Sequence, residues 1–201
     1  MATLILASTS LYRKALLTRL GLAVECVAPG VDEDSFKTKG LSPQKLAEDL
    51  ATAKARAVAG QNPGRIVIGG DQLLAFQGEV LGKPGSFENA VNQLLRLSAQ
   101  THELVTAMTV IGPDGEAHLH TDVSRMTMRP LDRERIERYL RLDMPLDCAG
   151  SYKIESAGVS LFESIVSADQ SAITGLPLIA LTAILERLGV KVPGEFVKDA
   201  K

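Results

Sequence analysis

The chain has 201 residues, 45% of them apolar, and its 22 Lys and Arg against 24 Asp and Glu leave a net charge of −2. That size supports one large domain or two small lobes, and a single domain over residues 1–201 is the expectation. Near-neutral charge excludes a global field drawing the protein to nucleic acid or membrane, so any anion it binds must be held by a few placed cations.

The first apolar run is about five residues long, too short for a signal-peptide core or a membrane span. A later run, Leu176 to Leu185, is broken by Pro177 and followed by Glu186-Arg187. Cytosol is therefore the expected compartment. Cys26 and Cys148 belong to no CxxC pair, which fits two free thiols.

Thr3 to Ala7 is a continuous apolar run and reads as a short buried strand. Ser8-Thr9-Ser10 then offers capping side chains for a helix from about Leu11 to Leu20, closed by Gly21. A second strand near Glu25 to Ala28 leads into the acidic loop Val31-Asp32-Glu33-Asp34. Ser42-Pro43 starts the next helix, with Leu46, Leu50, Ala53 and Ala57 on one face. Arg65 to Ile68 is a buried strand terminated by Gly69-Gly70-Asp71. Leu73 to Phe76 and Glu79 to Leu81 form a hairpin turning at Gln77-Gly78. A helix from Ser86 to about Ser98 follows. Strands around Glu103–Ile111 and Glu116–Met128 are joined at Pro113-Asp114-Gly115. Asp132 caps a helix to about Leu142, Gly158 to Glu163 is a strand, and Pro177 to Leu188 is a last helix ended by Gly189. Helices interleaved with strands, hairpins included, predict an α/β fold with a largely central mixed sheet.

Several clusters could carry chemistry. Ser8, Ser10, Arg13 and Lys14 stand at a strand-to-helix junction, where free N–H groups, hydroxyls and a guanidinium fork suit phosphate. The same pattern describes a serine-capped surface helix. Asp71 follows a buried strand and two glycines, where a carboxylate could hold a divalent cation or take a proton from water, or simply occupy a turn. Asp32, Glu33 and Asp34 could supply oxygen ligands to a hard cation, or form a solvated loop. Lys54 lies at the margin of its helix's apolar stripe, and Lys83 is followed by the rigid Pro84; each ammonium could enter a cleft or snorkel to water. His118 and His120 alternate on one strand without a third metal ligand at a zinc-like spacing, so an exposed strand face accounts for them better. No GxxxxGK[ST], GxGxxG, GxSxG or Cys/His arrangement is present, which excludes a P-loop, a dinucleotide fingerprint and a covalent nucleophile of those kinds.

Taken together these segments resemble the Maf family of nucleotide pyrophosphatases, the septum-formation-inhibitor-like proteins. The matching stretches are Leu-Ile-Leu-Ala-Ser-Thr-Ser-Leu-Tyr-Arg-Lys at 4–14, Val-Asp-Glu at 31–33, Leu-Ala-x-x-x-Ala-x-x-Lys-Ala at 46–55, Ile-Gly-Gly-Asp-Gln at 68–72 and Gly-Lys-Pro at 82–84. Cys-Ala-Gly-Ser-Tyr-Lys-Ile-Glu at 148–155 and Gly-Leu-Pro-Leu at 175–178 follow in the family's order. The resemblance implies an elongated two-lobed fold with a central cleft, like that of inosine-triphosphate pyrophosphatases, often as a homodimer. It implies Asp71 as proton acceptor, Glu33 with Asp71 at a Mg²⁺ or Mn²⁺ site, and Ser8, Ser10, Arg13, Lys14, Lys54 and Lys83 around the triphosphate. Lys14 departs from the second arginine of many relatives, keeping the charge but not the fork.

The implied reaction cuts the α–β phosphoanhydride of a nucleoside triphosphate, giving monophosphate and pyrophosphate. Gln72 and Glu155 are similar to members acting on 7-methyl-GTP; members acting on dTTP or UTP typically show Thr and Gln at these positions. A Glu155 carboxylate could accept from the guanine N1–H and 2-amino edge, and Tyr12 could stack on the cationic base. The alternatives are the pyrimidine-triphosphate enzyme and a non-catalytic, nucleotide-binding regulator of cell division.

Overall fold

In chain order the elements are β1 (Leu4–Leu6), α1 (Leu11–Arg19), β2 (Val24–Cys26), α2 (Asp34–Lys37), α3 (Pro43–Ala59), β3 (Ile66–Phe76), β4 (Glu79–Leu81), α4 (Phe87–Leu97), β5 (Thr101–Ile111), β6 (Ala117–Met128), α5 (Arg133–Asp143), β7 (Phe162–Val166), α6 (Gln170–Ile173) and α7 (Leu178–Arg187). They come from a computed structural model that describes residues 4–37 and 40–194. Thr3, expected to open the first strand, lies outside the described residues. The seven strands form one sheet in the order β2-β1-β3-β5-β6-β7, with β4 on β3. β1 is parallel to both β2 and β3, while β4 and β7 run antiparallel to their partners, so the sheet is mixed, as the hairpins required.

The chain divides into two compact units. The first holds the described residues up to Gln72, Thr106–Asp122 and those from Asp169 on; the second holds Leu73–Val105 and Val123–Ala168.

In the first unit the parallel strands sort their side chains by the strand period of two. Leu4 and Leu6 of β1 and Ile66 and Ile68 of β3 pack with Leu16 and Leu17 of α1 and with Leu181, Ile184 and Leu185 of α7. Ile5, Ala7 and Val67, on the other face, pack with Val58 of α3. Carried along β3, the alternation puts Gly70 and Gln72 on the α1/α7 face, and Gly69 and Asp71 on the α3 face.

The glycines therefore do not end the strand, contrary to the sequence expectation: β3 runs unbroken from Ile66 to Phe76. They are there for close approach. A Cβ at Gly69 would stand 2.5 Å from the Ala51 carbonyl oxygen and 2.7 Å from the Ala55 nitrogen, so the backbone of α3 rests directly on the strand. This contact also rotates the buried face of α3 away from the expected one. Leu46, Ala47, Leu50, Ala51, Lys54, Ala55 and Val58 are buried, whereas Ala53 and Ala57 are only half-buried. Gly69→Ala forces the helix off the strand, and an overpacking cost of about 1–3 kcal/mol is expected. Chemical denaturation measures it, and an unchanged midpoint would mean that α3 can withdraw freely.

The second unit packs α4 and α5 together, with Arg133 Nη2 of α5 donating to both carboxylate oxygens of Glu88 of α4, at 2.7 and 2.8 Å. At its centre His102 Nε2 pairs with the Tyr152 hydroxyl at 2.9 Å, and Tyr152 meets Phe162 edge-on. Burial pulls the His102 pKa down to about 4, so this imidazole is neutral at physiological pH. The expected strand at Gly158–Glu163 is instead a 3₁₀ turn over Ala157–Leu161, followed by β7. Cys26 and Cys148 are both free, as expected.

Candidate active site

The carboxyl ends of parallel strands in an α/β sheet are where ligands gather, most of all where successive crossovers diverge. Here β1 leads through α1 to β2 on one side, and β2 leads through α3 to β3 on the other. Ser8 just past β1, Glu33 beyond β2 and Asp71 on β3 all lie in the first unit.

Asp71 faces α3, and its side chain is almost wholly buried. Its Oδ1 lies 2.6 Å from Lys54 Nζ, and the same ammonium lies 2.7 Å from Glu33 Oε1. Lys54 is one turn from Ala51 and adjacent to Ala55, the residues that sit on Gly69, so the close helix–strand contact carries the ammonium to the acid. The lysine is 7% exposed, well inside the apolar stripe rather than at its margin. An ammonium so buried needs partners, and two carboxylates supply them.

On the opposite face of β3, Arg13 reaches back from the first turn of α1. Its Nε donates to the Gly175 carbonyl at 3.0 Å and its Nη1 to Ser8 Oγ at 3.2 Å. Ser8 Oγ also accepts from the Ser10 backbone N–H, and Ser10 Oγ caps the helix by accepting from the Arg13 N–H. A Cβ at Gly70 would lie 3.4 Å from Arg13 Nε, as would one at Gly175, so the side chain is seated between two glycines.

The electrostatics set the acid apart. Burial raises the Asp71 carboxyl above the ordinary 3.8, against the lowering pull of Lys54 and Arg13. Burial likewise lowers the Arg13 guanidinium, opposed by the Asp71 and Glu33 carboxylates. A buried carboxylate with a raised pKa beside basic groups is suited to proton transfer.

The donors present also fit a hard divalent cation. Asp71 Oδ2 is buried and has no hydrogen-bond partner, and Glu33 presents a second carboxylate across Lys54. Among the described residues no group of three or more His, Cys, Asp or Glu side chains is placed to hold a metal. Two carboxylates are a donor set that a hard ion such as Mg²⁺ or Mn²⁺ would accept from protein, and they do not amount to a closed protein cage.

The remaining expected residues are spread more widely. Lys14 is exposed and Tyr12 half-buried on α1, while Asp32 and Asp34 flank Glu33 on the exposed loop and at the start of α2. Gln72 points to the α1/α7 face, where its Nε2 donates to Thr106 Oγ1 and to the Ala172 and Ile173 carbonyls. Lys83, just beyond β4, and Glu155, before the 3₁₀ turn, are exposed residues of the second unit. His118 and His120 are half-buried on β6.

One part of the site escaped the sequence reading: the turn around α6, whose Gly175 carbonyl holds Arg13. Asp169 builds that turn, accepting from the Ser171 N–H at 2.9 Å and from the Ile179 N–H at 2.7 Å, which ties α6 to α7. Asp169 standing before a short run ended by Gly175 was the available cap signal.

The model of the Maf-like family matches residues 3–188, and the chain belongs to that family. A relative from Bdellovibrio bacteriovorus named 7-methyl-GTP pyrophosphatase is 50% identical over 184 residues, which cover 91% of this chain and 95% of the relative. A relative of the same name from Xanthomonas campestris pv. campestris is 47% identical over 96% of this chain and 100% of its own length. Among solved structures, the Ham1 protein of Staphylococcus aureus is similar in fold, with a TM-score of 0.53 at 18% identity over 92% of this chain and 98% of that one. No helix among the described residues is long and apolar enough to cross a membrane.

Proposed function

We propose that this chain is a cytoplasmic nucleoside triphosphate pyrophosphatase whose substrate is 7-methyl-GTP, removing a modified nucleotide from the pool. The observation that carries this reading is the buried Asp71, its pKa raised, joined through Lys54 to Glu33 and lying near Arg13. Full-length similarity to relatives named for 7-methyl-GTP supports the choice of base.

In this mechanism a water attacks the α-phosphorus and Asp71 accepts its proton. The bond from the α-phosphorus to the bridging oxygen breaks, and pyrophosphate departs with the electron pair. Arg13 and Lys54 meet the charge that grows on the departing oxygens, an electrostatic role that needs positioned cations and no covalent intermediate. Ser8 and Ser10 hold Arg13 and the helix start that receive the phosphates. Tyr12, half-buried on α1 of the same unit, stacks on the cationic base. A divalent cation held by Asp71 and Glu33 would supply Lewis acidity and lower the pKa of the attacking water.

The test is a panel of triphosphates assayed with Mg²⁺ or Mn²⁺ for pyrophosphate and orthophosphate separately. Pyrophosphate release, fastest from 7-methyl-GTP, is the expected result. Faster turnover of dTTP or UTP would overturn the base assignment, and orthophosphate release would overturn the bond assignment. An enzyme-grade preparation that hydrolyses none of them would favour a nucleotide-binding regulator.

A further inference from the structure

We infer that Gln72 is a positioning residue for Arg13, acting through the α6 turn. The inference rests on the phosphate-binding role proposed for Arg13.

The orientation of the Gln72 amide is fixed by its partners. Ala172 and Ile173 present backbone carbonyls, which only accept, so the side-chain nitrogen must face them at 2.9 and 3.0 Å. Thr106 Oγ1 donates to the same Ala172 carbonyl and accepts from Gln72 Nε2 at 2.9 Å. The donor end of Gln72 is thus committed to Thr106 and the α6 turn.

The Ala172 carbonyl already accepts from the Gly175 N–H at 2.9 Å, whereas the Ile173 carbonyl, at the end of the four-residue helix, needs a donor from elsewhere. For Ile173 the residue four positions on is Pro177, which has no N–H to offer. Gln72 fills that vacancy. Two residues later Gly175 adopts φ +117, a conformation that side chains rarely take, and turns its carbonyl to Arg13 Nε. One strand face therefore gives Arg13 both halves of its seat. Gly70 leaves space beside the guanidinium, and Gln72, next but one, pins the turn that accepts from Nε. Only with Nε and Nη1 both committed is the plane of the guanidinium fixed, and a fixed fork is what lets arginine meet phosphate oxygens in two places at once.

The test is Gln72→Met, which keeps the length and removes the donors. Hydrogen exchange of the Arg13 side-chain Nε–H, followed by NMR on arginine-labelled full-length protein, reads the seat directly. About tenfold faster exchange is expected, with the backbone amides of Leu17 and Ile68 unchanged. Kinetically, kcat/KM on 7-methyl-GTP should fall by about tenfold, and in an Arg13→Ala background the same substitution should add less than about twofold. Unchanged Nε–H exchange, equally accelerated core amides, or a full tenfold loss persisting in the Arg13→Ala background would each overturn the inference. If Gln72→Met does not fold, Thr106→Val removes one link of the same network, and Arg13 exchange identical to wild type there overturns it too. Should the wild type hydrolyse no triphosphate, the pyrophosphatase reading fails by itself, while Arg13 exchange still decides whether Gln72 positions it.

Discussion

Asp71→Asn is expected to lower kcat roughly 10³-fold while nucleotide binding stays within a few-fold, because a positioned general base contributes on that scale. The substitution keeps the shape of the side chain and an oxygen that can still accept from Lys54. It removes the basicity and the charge available to a cation. The pH profile separates this from a structural effect. Burial holds the Asp71 pKa above 3.8, so the acid limb of kcat/KM should lie above the range of an ordinary aspartate, with activity rising as the carboxyl ionises. In the asparagine variant the residual rate should lose that limb. Full activity of the variant, or an acid limb that survives in it, would move the base to another residue.

Lys54→Met is expected to cost about 3–5 kcal/mol of stability at neutral pH and to abolish most turnover, since removing one partner strands a buried charge. Methionine keeps much of the apolar stem, so the loss is chiefly that of the ammonium. Both side chains of the Lys54–Asp71 pair are almost wholly buried, at 9% and 8% exposure, and solvent screening weakens the effect little. The pH dependence has a definite sign. Asp71 already has a folded pKa above its unfolded value, so its favourable contribution is present below 3.8 and is lost as pH rises through the folded value. Without the ammonium that folded value climbs further. The variant should therefore stand nearest the wild type in acid and fall increasingly behind toward neutrality. Denaturation midpoints measured across that range decide it; a deficit independent of pH would mean that Asp71 does not carry the stranded charge.

How far the sequence revealed this molecule depended on whether the signal was local. The helix starts were legible because Ser10, Ser42, Ser86 and Asp132 each cap in the expected way, their side chains accepting from the backbone three residues on. The mixed sheet followed from the hairpin at Gln77-Gly78. Gly69 and Gly70 misled, because a glycine pair signals a turn as readily as a close contact, and only the helices on either side reveal which. Lys54 was legible as a candidate, but not its depth, since a lysine in an apolar stripe commonly snorkels outward. The hold of Gly175 on Arg13 spans 162 positions and could not be read from spacing at all.

The bare stretch of β3 has a consequence for anyone wishing to move this chemistry. With no side chain at two adjacent positions, the strand is thinnest just before its acid, and it is clamped by a helix backbone on one side and an arginine on the other. The constellation is thus a property of three elements locked at one level, and transplanting Asp71 with its neighbouring glycines into another parallel sheet would leave a hole. A working graft would have to carry β1, α1, α3, β3 and the α6 turn that holds Arg13 as one block.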